Sequence, residues 1–125
     1  MNKIKNIRLS KSNITSKEKK AVIRVMNKSF LGMGEDAHVA SLFPGDLDAL
    51  ESKAIYRAVT GPKPPFRRVT LGYPVLSAAR EVWVLASGES KVEALRSSIS
   101  IDSVTPLARV LQSREETEIL TDFTL

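Results

Sequence analysis

The chain has 125 residues, of which 42% are hydrophobic and 26% are charged, and this length and composition are typical of one globular domain or part of a larger one. No apolar run approaches the roughly 18 residues that cross a bilayer, so the sequence predicts no membrane span. The chain contains no cysteine and one histidine, His38, which excludes disulfides, thiol nucleophiles and multi-histidine metal sites.

The net charge of +5 is concentrated at the start of the chain. Residues 1–28 contain nine lysines and arginines against one acid, Glu18, whereas residues 29–125 are mildly acidic. We call residues 1–30 the basic arm; it lacks the apolar core of a secretory signal, and we expect a cytoplasmic protein. Residues 1–28 contain no aromatic side chain that would stack on a base, so a poorly ordered terminus is favoured over a nucleic-acid-binding arm.

The first predicted elements surround a glycine turn. Residues 18–28 fit a short helix and a strand equally well. Gly32–Gly34 predicts a tight turn, and we expect it to open onto a short helix that Asp36 caps and that ends before Pro44. Residues 46–51 are expected to form a loop or a further short helix.

The middle of the chain predicts two strands joined by a stiff loop. The strands are expected at residues 53–59, where apolar and polar side chains alternate, and at residues 67–71. Three prolines within residues 62–65 predict the loop, because proline restricts φ and lacks an amide hydrogen. A short helix with proline at its start is predicted at residues 74–80.

The last part of the chain contains the most apolar element. Residues 82–86 form a continuous apolar run, which predicts a strand buried on both faces of a sheet. A helix at residues 89–99, a helical turn at residues 107–111 and a short strand at residues 117–121 complete the pattern. The alternation of strands and helices predicts an α/β fold with a mainly parallel sheet and flanking helices.

Ligands of such sheets bind beyond the carboxyl ends of the strands, and three loops qualify by position: Gly32–His38, Gly61–Arg68 and Ser87–Lys91. In the first loop, a glycine turn can present amide N–H groups to an anion. His38 is a competent general base near neutral pH, and Asp36 stands in the same turn. The alternative is that Asp36 only caps a helix and that His38 has no catalytic role.

The other two loops carry cations. Because neighbouring strand residues face opposite ways, at most one of Arg67 and Arg68 can reach a pocket. Lys91 stands in the first turn of a predicted helix, where the helix dipole disfavours a cation, and this position indicates an anionic ligand. The alternative is that these side chains are solvated surface charges. One base and two cations in one pocket suit a small phosphorylated substrate.

Three segments of residues 31–125 resemble motifs of the 6-phosphogluconolactonase family, and they occur in the same order. LGMGEDAHVASLFPG at residues 31–45 is similar to the family's G-x-G-x-D-G-H-T-A-S-L-F-P-G. PKPPFRRVTL at residues 62–71 resembles P-K-P-P-x-x-R-I-T-L, and residues 88–91 match G-x-x-K. The run Ser41–Pro44 separates this family from the related glucosamine-6-phosphate deaminases.

The resemblance implies an open, Rossmann-like α/β sandwich that hydrolyses 6-phospho-D-glucono-1,5-lactone to 6-phosphogluconate in the oxidative pentose phosphate pathway. It implies no metal and no organic cofactor. His38 is the implied general base that activates water, and Asp36 is the implied acid that orients the site. Arg68 and Lys91 are implied to bind the substrate phosphate, and the glycine turn of Gly32 and Gly34 is implied to lie beside the sugar ring.

The sequence departs from the family pattern in two respects. Ala37 stands where the family has glycine, and if this position requires a positive φ, alanine costs about 1 kcal/mol or more. The family's N-terminal half, with its first strands, a glycine-rich phosphate loop and an Asp-Glu-Arg motif, has no counterpart here. We therefore divide the chain into residues 1–30, an arm unrelated to the family, and residues 31–125, the C-terminal part of a lactonase-like domain.

These departures bear on partners and on activity. Half a sheet leaves an open edge and an uncovered apolar face, so we expect a homo-oligomer or a complementing N-terminal half as the partner. The alternative to an active lactonase is a catalytically inactive remnant that binds sugar phosphates. A second alternative is a nucleic-acid-binding adapter that uses the basic arm.

Overall fold

The computed structural model describes the backbone of residues 5–10 and all atoms of residues 27–125. Within these residues there are six strands, four α-helices and one 3-10 helix at Glu89–Lys91. The strands are β1 (Lys5–Ser10), β2 (Lys28–Gly32), β3 (Tyr56–Thr60), β4 (Arg67–Leu71), β5 (Glu81–Ala86) and β6 (Glu116–Thr121). The α-helices are α1 (Leu47–Glu51), α2 (Tyr73–Ala78), α3 (Val92–Ile99) and α4 (Pro106–Gln112).

Four of these strands form one sheet in the order β1–β6–β5–β2, and β3 pairs with β4 in a separate antiparallel hairpin. β2 and β6 both run parallel to β5, whereas β1 runs antiparallel to β6. The predicted α/β fold with a mainly parallel sheet is therefore confirmed. Because parallel strands end at the same edge, the loops that follow β2 and β5 emerge on one side of the sheet.

The hydrophobic core lies between one face of this sheet and the longer helices. Val82, Val84 and Ile119 point from the sheet into the core and are almost completely buried. Leu95 of α3 and Leu107 of α4 are fully buried against them. No helix within the described residues is long and apolar enough to cross a bilayer.

Local capping signals define where two of the helices begin. The Oδ1 atom of Asp46 accepts a hydrogen bond from the Ala49 amide at 3.2 Å at the start of α1. The Oγ1 atom of Thr105 accepts a hydrogen bond from the Ala108 amide at 3.1 Å at the start of α4, where Pro106 occupies the first turn. These side chains satisfy amide groups that have no partner within the helix.

The prediction of a short helix after the glycine turn is wrong. Ala37 and Ala40 have φ values of +63° and +52°, and these left-handed conformations cannot belong to a right-handed helix. Val39 instead forms isolated antiparallel bridges with Met33 and with Leu42. The segment is therefore a compact, irregular loop that leads into α1.

The basic arm contains regular structure where it is described, which differs from the expected poorly ordered terminus. Lys5–Ser10 pair along their whole length with β6, and residues 28–30 belong to β2. β1 was not predicted, although Ile7 and Leu9 alternate with the polar residues Asn6, Arg8 and Ser10. Residues 18–26, for which a helix or a strand is predicted, lie outside the described residues. The proposed division of the chain at residue 30 stays a prediction.

The face of the sheet opposite the core is left uncovered by the described residues. Phe30 of β2 is 63% exposed and Leu85 of β5 is 51% exposed, and the Phe30 and Trp83 rings lie 6.1 Å apart. We call Phe30, Trp83 and Leu85 the uncovered face. The prediction that residues 82–86 are buried on both faces is wrong, because the helices in the described chain pack against one face only.

We expect the uncovered face to cause self-association, because exposed apolar surface beside an edge strand is stabilised by contact with another chain. Leu85→Lys should lower the average mass in sedimentation equilibrium at a fixed protein concentration. Val69→Lys, which adds the same charge at a 72% exposed position of β4, should leave that mass unchanged. An unsubstituted chain that sediments as a monomer at every concentration would contradict the expectation.

A buried guanidinium joins the end of α2 to the start of β6. Arg114 is only 5% exposed, and burial lowers the pKa of its guanidinium, which nevertheless remains charged at neutral pH. The negative end of the helix dipole and the unpaired carbonyl groups there favour this cation. Its acceptors are Leu76 O at 2.6 Å, Ala79 O at 2.7 Å, Ser77 O at 3.2 Å, Glu116 O at 3.3 Å and Arg80 O at 3.4 Å.

Candidate active site

Two parts of the fold position the loops predicted to carry chemistry. Gly32 ends β2 and Ser87 follows β5, so the first and third loops begin at the same edge of the sheet. The second loop joins β3 to β4, and Arg68 of this hairpin contacts Phe43, which follows the first loop in the chain. The candidate site lies where the hairpin meets the loop after β2.

The Asp36 carboxylate holds the imidazole of His38. Its Oδ1 atom accepts a hydrogen bond from the His38 amide at 3.1 Å and lies 2.6 Å from the ring Nδ1 atom. Burial raises the pKa of Asp36, but the hydrogen bonds from the His38 amide and ring outweigh this effect and hold the pKa below its ordinary value. Asp36 is therefore ionised at neutral pH and accepts a hydrogen bond from Nδ1; in the neutral imidazole, this tautomer leaves Nε2 as an acceptor.

Gly34 makes room for this pair. A Cβ atom at Gly34 would overlap the His38 ring and would lie 2.8 Å from Asp36 Oδ1. The Gly34 amide donates a hydrogen bond to the His38 carbonyl at 3.0 Å, so this amide has no N–H left for an anion. The expected anion-binding role of the turn therefore does not extend to the Gly34 amide. Gly32 has open space around it, because a Cβ atom at this position would meet nothing within 4 Å.

Ala37, which stands at the family's glycine position, is the residue that links the site to the core. It is buried, its amide donates to the Gly34 carbonyl at 2.9 Å, and its carbonyl accepts from the Leu107 amide of α4 at 3.1 Å. These two hydrogen bonds hold Ala37 at its positive φ. The contact between Asp36 and His38 forms with alanine in this place.

We expect Ala40→Gly to raise the free energy of unfolding by about 0.5–1 kcal/mol, because glycine adopts a positive φ without the steric cost of a Cβ atom and Ala40 is exposed. Ala37→Gly should change the free energy of unfolding less, since it also removes a buried methyl group worth about 0.8 kcal/mol. Urea unfolding of both variants measures the difference. A less stable Ala40→Gly variant would contradict this account of the loop.

Arg68 is held in one orientation by the proline loop. Its Nε and Nη2 atoms donate to the carbonyl oxygens of Pro65 and Lys63, each at 2.9 Å. A Cβ atom at Gly61 would lie 2.6 Å from Arg68 Nε, so glycine at this position gives the guanidinium its space. Arg68 is half-buried and Arg67 is exposed, in accord with their opposite directions on β4.

The ring of Phe43 connects Arg68 with His38. Its centroid lies 4.9 Å from the centroid of the His38 ring and 5.2 Å from Arg68 Cζ. A cleft of about 560 Å³ opens beside the ring, and Asp36 and Gly61 are among the residues that line it. Within the described residues, no three carboxylate or imidazole groups come together that could hold a metal ion. Phe43 lies in the family motif at residues 31–45 but was not predicted as a site residue.

Asp122, which was not predicted as a site residue, holds the turn that follows β5. Its carboxylate accepts hydrogen bonds from the Ser87 hydroxyl at 2.6 Å and from the Gly88 amide at 2.9 Å. These hydrogen bonds hold the pKa of Asp122 below its ordinary value. The available signal is an acid placed directly after β6, at the edge of the sheet where β5 also ends.

Lys91 lies at the end of the 3-10 helix that this turn begins. Parallel pairing of β2 with β5 places the turn at the same edge of the sheet as the loop of His38. Within residues 27–125, no hydrogen bond or ion pair connects Lys91 with His38 or Arg68. The structure therefore groups Asp36, His38 and Arg68 around Phe43. The place of Lys91 in the site stays a prediction.

The family model for glucosamine-6-phosphate isomerases/6-phosphogluconolactonase matches residues 9–119. The chain belongs to this family. The resemblance noted in the sequence is thereby confirmed, and it extends into the basic arm, because the match begins at residue 9 within β1. The match includes the loop of Asp36 and His38, the hairpin that carries Arg68, and Lys91.

Relatives in this family are longer than the chain. The 6-phosphogluconolactonase of Mycobacterium tuberculosis is 43% identical over 94 residues, which are 74% of this chain and 38% of that protein. The human 6-phosphogluconolactonase is 40% identical over 90 residues, 71% of this chain and 35% of that protein. The structure of 6-phosphogluconolactonase from Trypanosoma brucei superposes with a TM-score of 0.66 and 27% identity, covering 82% of this chain and 47% of that one. The match thus spans 35–38% of these two curated relatives and about half of this solved structure.

Proposed function

We propose that the chain hydrolyses 6-phospho-D-glucono-1,5-lactone to 6-phosphogluconate, as a step of the oxidative pentose phosphate pathway in the cytoplasm. The observation that carries the proposal is the contact of 2.6 Å between His38 Nδ1 and Asp36 Oδ1, with Arg68 on the same aromatic ring as the imidazole. Hydrolysis of a phosphorylated lactone uses an oriented base to activate water and a fixed cation to bind the phosphate. Relatives at 37–43% identity are named 6-phosphogluconolactonase, which supports the same substrate.

In the proposed reaction His38 acts first as a base and then as an acid. Its Nε2 atom accepts a proton from water while the water oxygen attacks the lactone carbonyl carbon. Asp36 stabilises the imidazolium that results, because its carboxylate already accepts the Nδ1 proton. The tetrahedral intermediate then breaks the bond between the carbonyl carbon and the ring oxygen. The ring oxygen takes the proton from Nε2, and the products are the free acid and the unchanged histidine.

Arg68 is the proposed ligand of the substrate phosphate. Its Nε and Nη2 atoms each use a proton on the carbonyls of the proline loop, so Nη1 and the second Nη2 proton remain for phosphate oxygens. Because the guanidinium is already held in place, binding an anion costs little side-chain conformational entropy. Lys91 is the second proposed phosphate ligand, and its long side chain would reach the site from the edge of the sheet.

We expect Arg68→Lys to raise KM for the lactone about 10- to 100-fold, because an ammonium group cannot make the paired hydrogen bonds of a guanidinium. Arg67→Lys makes the same chemical change at the neighbouring exposed position and should leave KM unchanged. The rate of acid release from freshly prepared lactone, corrected for spontaneous hydrolysis, gives both values. Equal KM values in the two variants would remove Arg68 from the proposed phosphate site.

The same assay of acid release, made on the unsubstituted chain, decides whether the chain is an enzyme. Acceleration of lactone hydrolysis above the spontaneous rate supports the proposal. Binding of 6-phosphogluconate in calorimetry without any such acceleration would replace it with a sugar-phosphate-binding module that lacks turnover. The test is made on the chain alone, and then with a chain that supplies the first half of a lactonase, because a complementing half remains a proposed partner.

A further inference from the structure

We propose that Phe43 is a positioning residue that sets the spacing between His38 and Arg68, an inference that rests on the proposed function of those two side chains. The His38 and Phe43 rings lie with centroids 4.9 Å apart and planes inclined by 43°. Arg68 Cζ lies 5.2 Å from the centroid of the same phenyl ring, within the range of a cation–π contact. Phe43 is thus the side chain that contacts both the base and the phosphate-binding cation.

The backbone next to Phe43 is fixed to the core and to β4. Leu42 is fully buried, and the Ser41 amide donates a hydrogen bond to Thr70 Oγ1 at 3.0 Å. Thr70 is itself buried and lies two residues after Arg68 on β4, so both side chains are on the same face of the strand. β4 therefore carries both Arg68 and Thr70, the hydrogen-bond acceptor that holds the loop of Phe43. This arrangement fixes the position of Phe43 relative to Arg68.

A phenyl ring suits this position for a chemical reason. Its face attracts a guanidinium or an imidazolium, yet it has no group that competes for hydrogen bonds. His38 Nε2 and Arg68 Nη1 therefore stay available for substrate. A leucine in this place would fill similar volume but would offer no flat face to either group. The ring is half-buried at the wall of the cleft, where a substrate between the two groups would pass over it.

The first test is kinetic. Phe43→Leu should lower kcat/KM for the lactone about 10- to 100-fold, with a lower kcat and a higher KM together, since displacing catalytic groups by about 1 Å costs up to about 100-fold. Phe43→Tyr keeps the ring and should restore most of the loss. Phe66→Leu removes a ring of the same size that is 54% exposed in the proline loop, and it should leave kcat and KM unchanged.

The second test needs no substrate and follows the Arg68 Nε–H group by NMR. In Phe43→Leu, exchange of this proton with solvent should be about tenfold faster than in the unsubstituted chain, because the guanidinium is less well held. The same exchange rate in Phe66→Leu should match the unsubstituted chain. The ring protons of His38, the single histidine, should keep their chemical shifts in Phe66→Leu, because the Phe43 ring still lies against the imidazole.

The outcomes separate the inference from the function on which it rests. Native kcat, KM and Nε–H exchange in Phe43→Leu would overturn the inference. Equal losses in Phe43→Leu and Phe66→Leu would also overturn it, since the effect would then be a general one. If the unsubstituted chain does not accelerate lactone hydrolysis, the proposed function fails, and the exchange rates alone then decide whether Phe43 positions Arg68.

Discussion

Replacing His38 with alanine is expected to lower kcat for hydrolysis of 6-phospho-D-glucono-1,5-lactone by about 10²–10⁴-fold, the usual contribution of a well-placed general base. The chain has one histidine, so no other imidazole can take over the role. KM should change much less than kcat, because the proposed phosphate ligands Arg68 and Lys91 are unaltered. The measurement is the initial rate of acid release at several lactone concentrations, with the spontaneous rate subtracted.

Asp36→Asn is the matched variant for this experiment. The amide keeps the shape of the side chain, but it neither fixes the proton on Nδ1 nor stabilises an imidazolium, so kcat should again fall with little change in KM. A His38→Ala variant with the full kcat of the unsubstituted chain would contradict the proposed role of the imidazole. Full activity in Asp36→Asn, together with a loss of activity in His38→Ala, would contradict only the role proposed for Asp36.

The pair also has an expected dependence on pH. The folded chain lowers the pKa of Asp36 below the ordinary value of 3.8. The stabilising contribution of this carboxylate is therefore complete above pH 3.8 and is lost as the pH falls through the lower value in the folded chain. Asp36→Asn removes this contribution and should reduce the difference in the free energy of unfolding between neutral and acidic solution.

Arg114→Met is expected to lower the free energy of unfolding by about 3 kcal/mol, although Arg114 lies away from the proposed catalytic groups. Methionine fills part of the space, but it leaves buried carbonyl oxygens at the end of α2 without donors. The shortest of the lost hydrogen bonds are those to Leu76 O at 2.6 Å and Ala79 O at 2.7 Å. Urea unfolding followed by circular dichroism gives the free energy.

Arg96→Met is the control, because Arg96 is exposed on α3 and pairs with Glu93 one turn away, at 3.1 Å. This variant should lose less than about 0.5 kcal/mol. Arg114→Lys should fall between the two, since it keeps a charge but cannot reach several carbonyl groups at once. Equal stability of Arg114→Met and Arg96→Met would show that the buried hydrogen bonds contribute little.

Much of the fold was predictable because strands and turns have local signals. The strand predicted at residues 67–71 coincides with β4, and the apolar run 82–86 lies within β5. Proline at the start of residues 74–80 marked α2 to within two residues at either end. The parallel sheet followed from the alternation of strands and helices, because a connection of that kind joins parallel neighbours.

The loop between the glycine turn and α1 was mispredicted for a physical reason. Its composition fits a helix, but the Ala37 carbonyl accepts a hydrogen bond from Leu107, which is far away in the sequence. That contact, together with the bridges of Val39, holds Ala37 and Ala40 in left-handed conformations that their own propensities oppose. Tertiary hydrogen bonds therefore overrode the local preference.

For the candidate site, the sequence by itself determined the family motifs and placed Asp36 and His38 in one short turn. The contact between their side chains also depends on the space at Gly34 and on the hydrogen bond from Leu107 to Ala37. Only the tertiary structure decided that Phe43 lies between His38 and Arg68, that Asp122 holds the turn before Lys91, and that Arg114 is buried. Each of these depends on how separate segments pack, and spacing along one chain does not specify the distance between segments that meet only when the sheet and the hairpin have assembled.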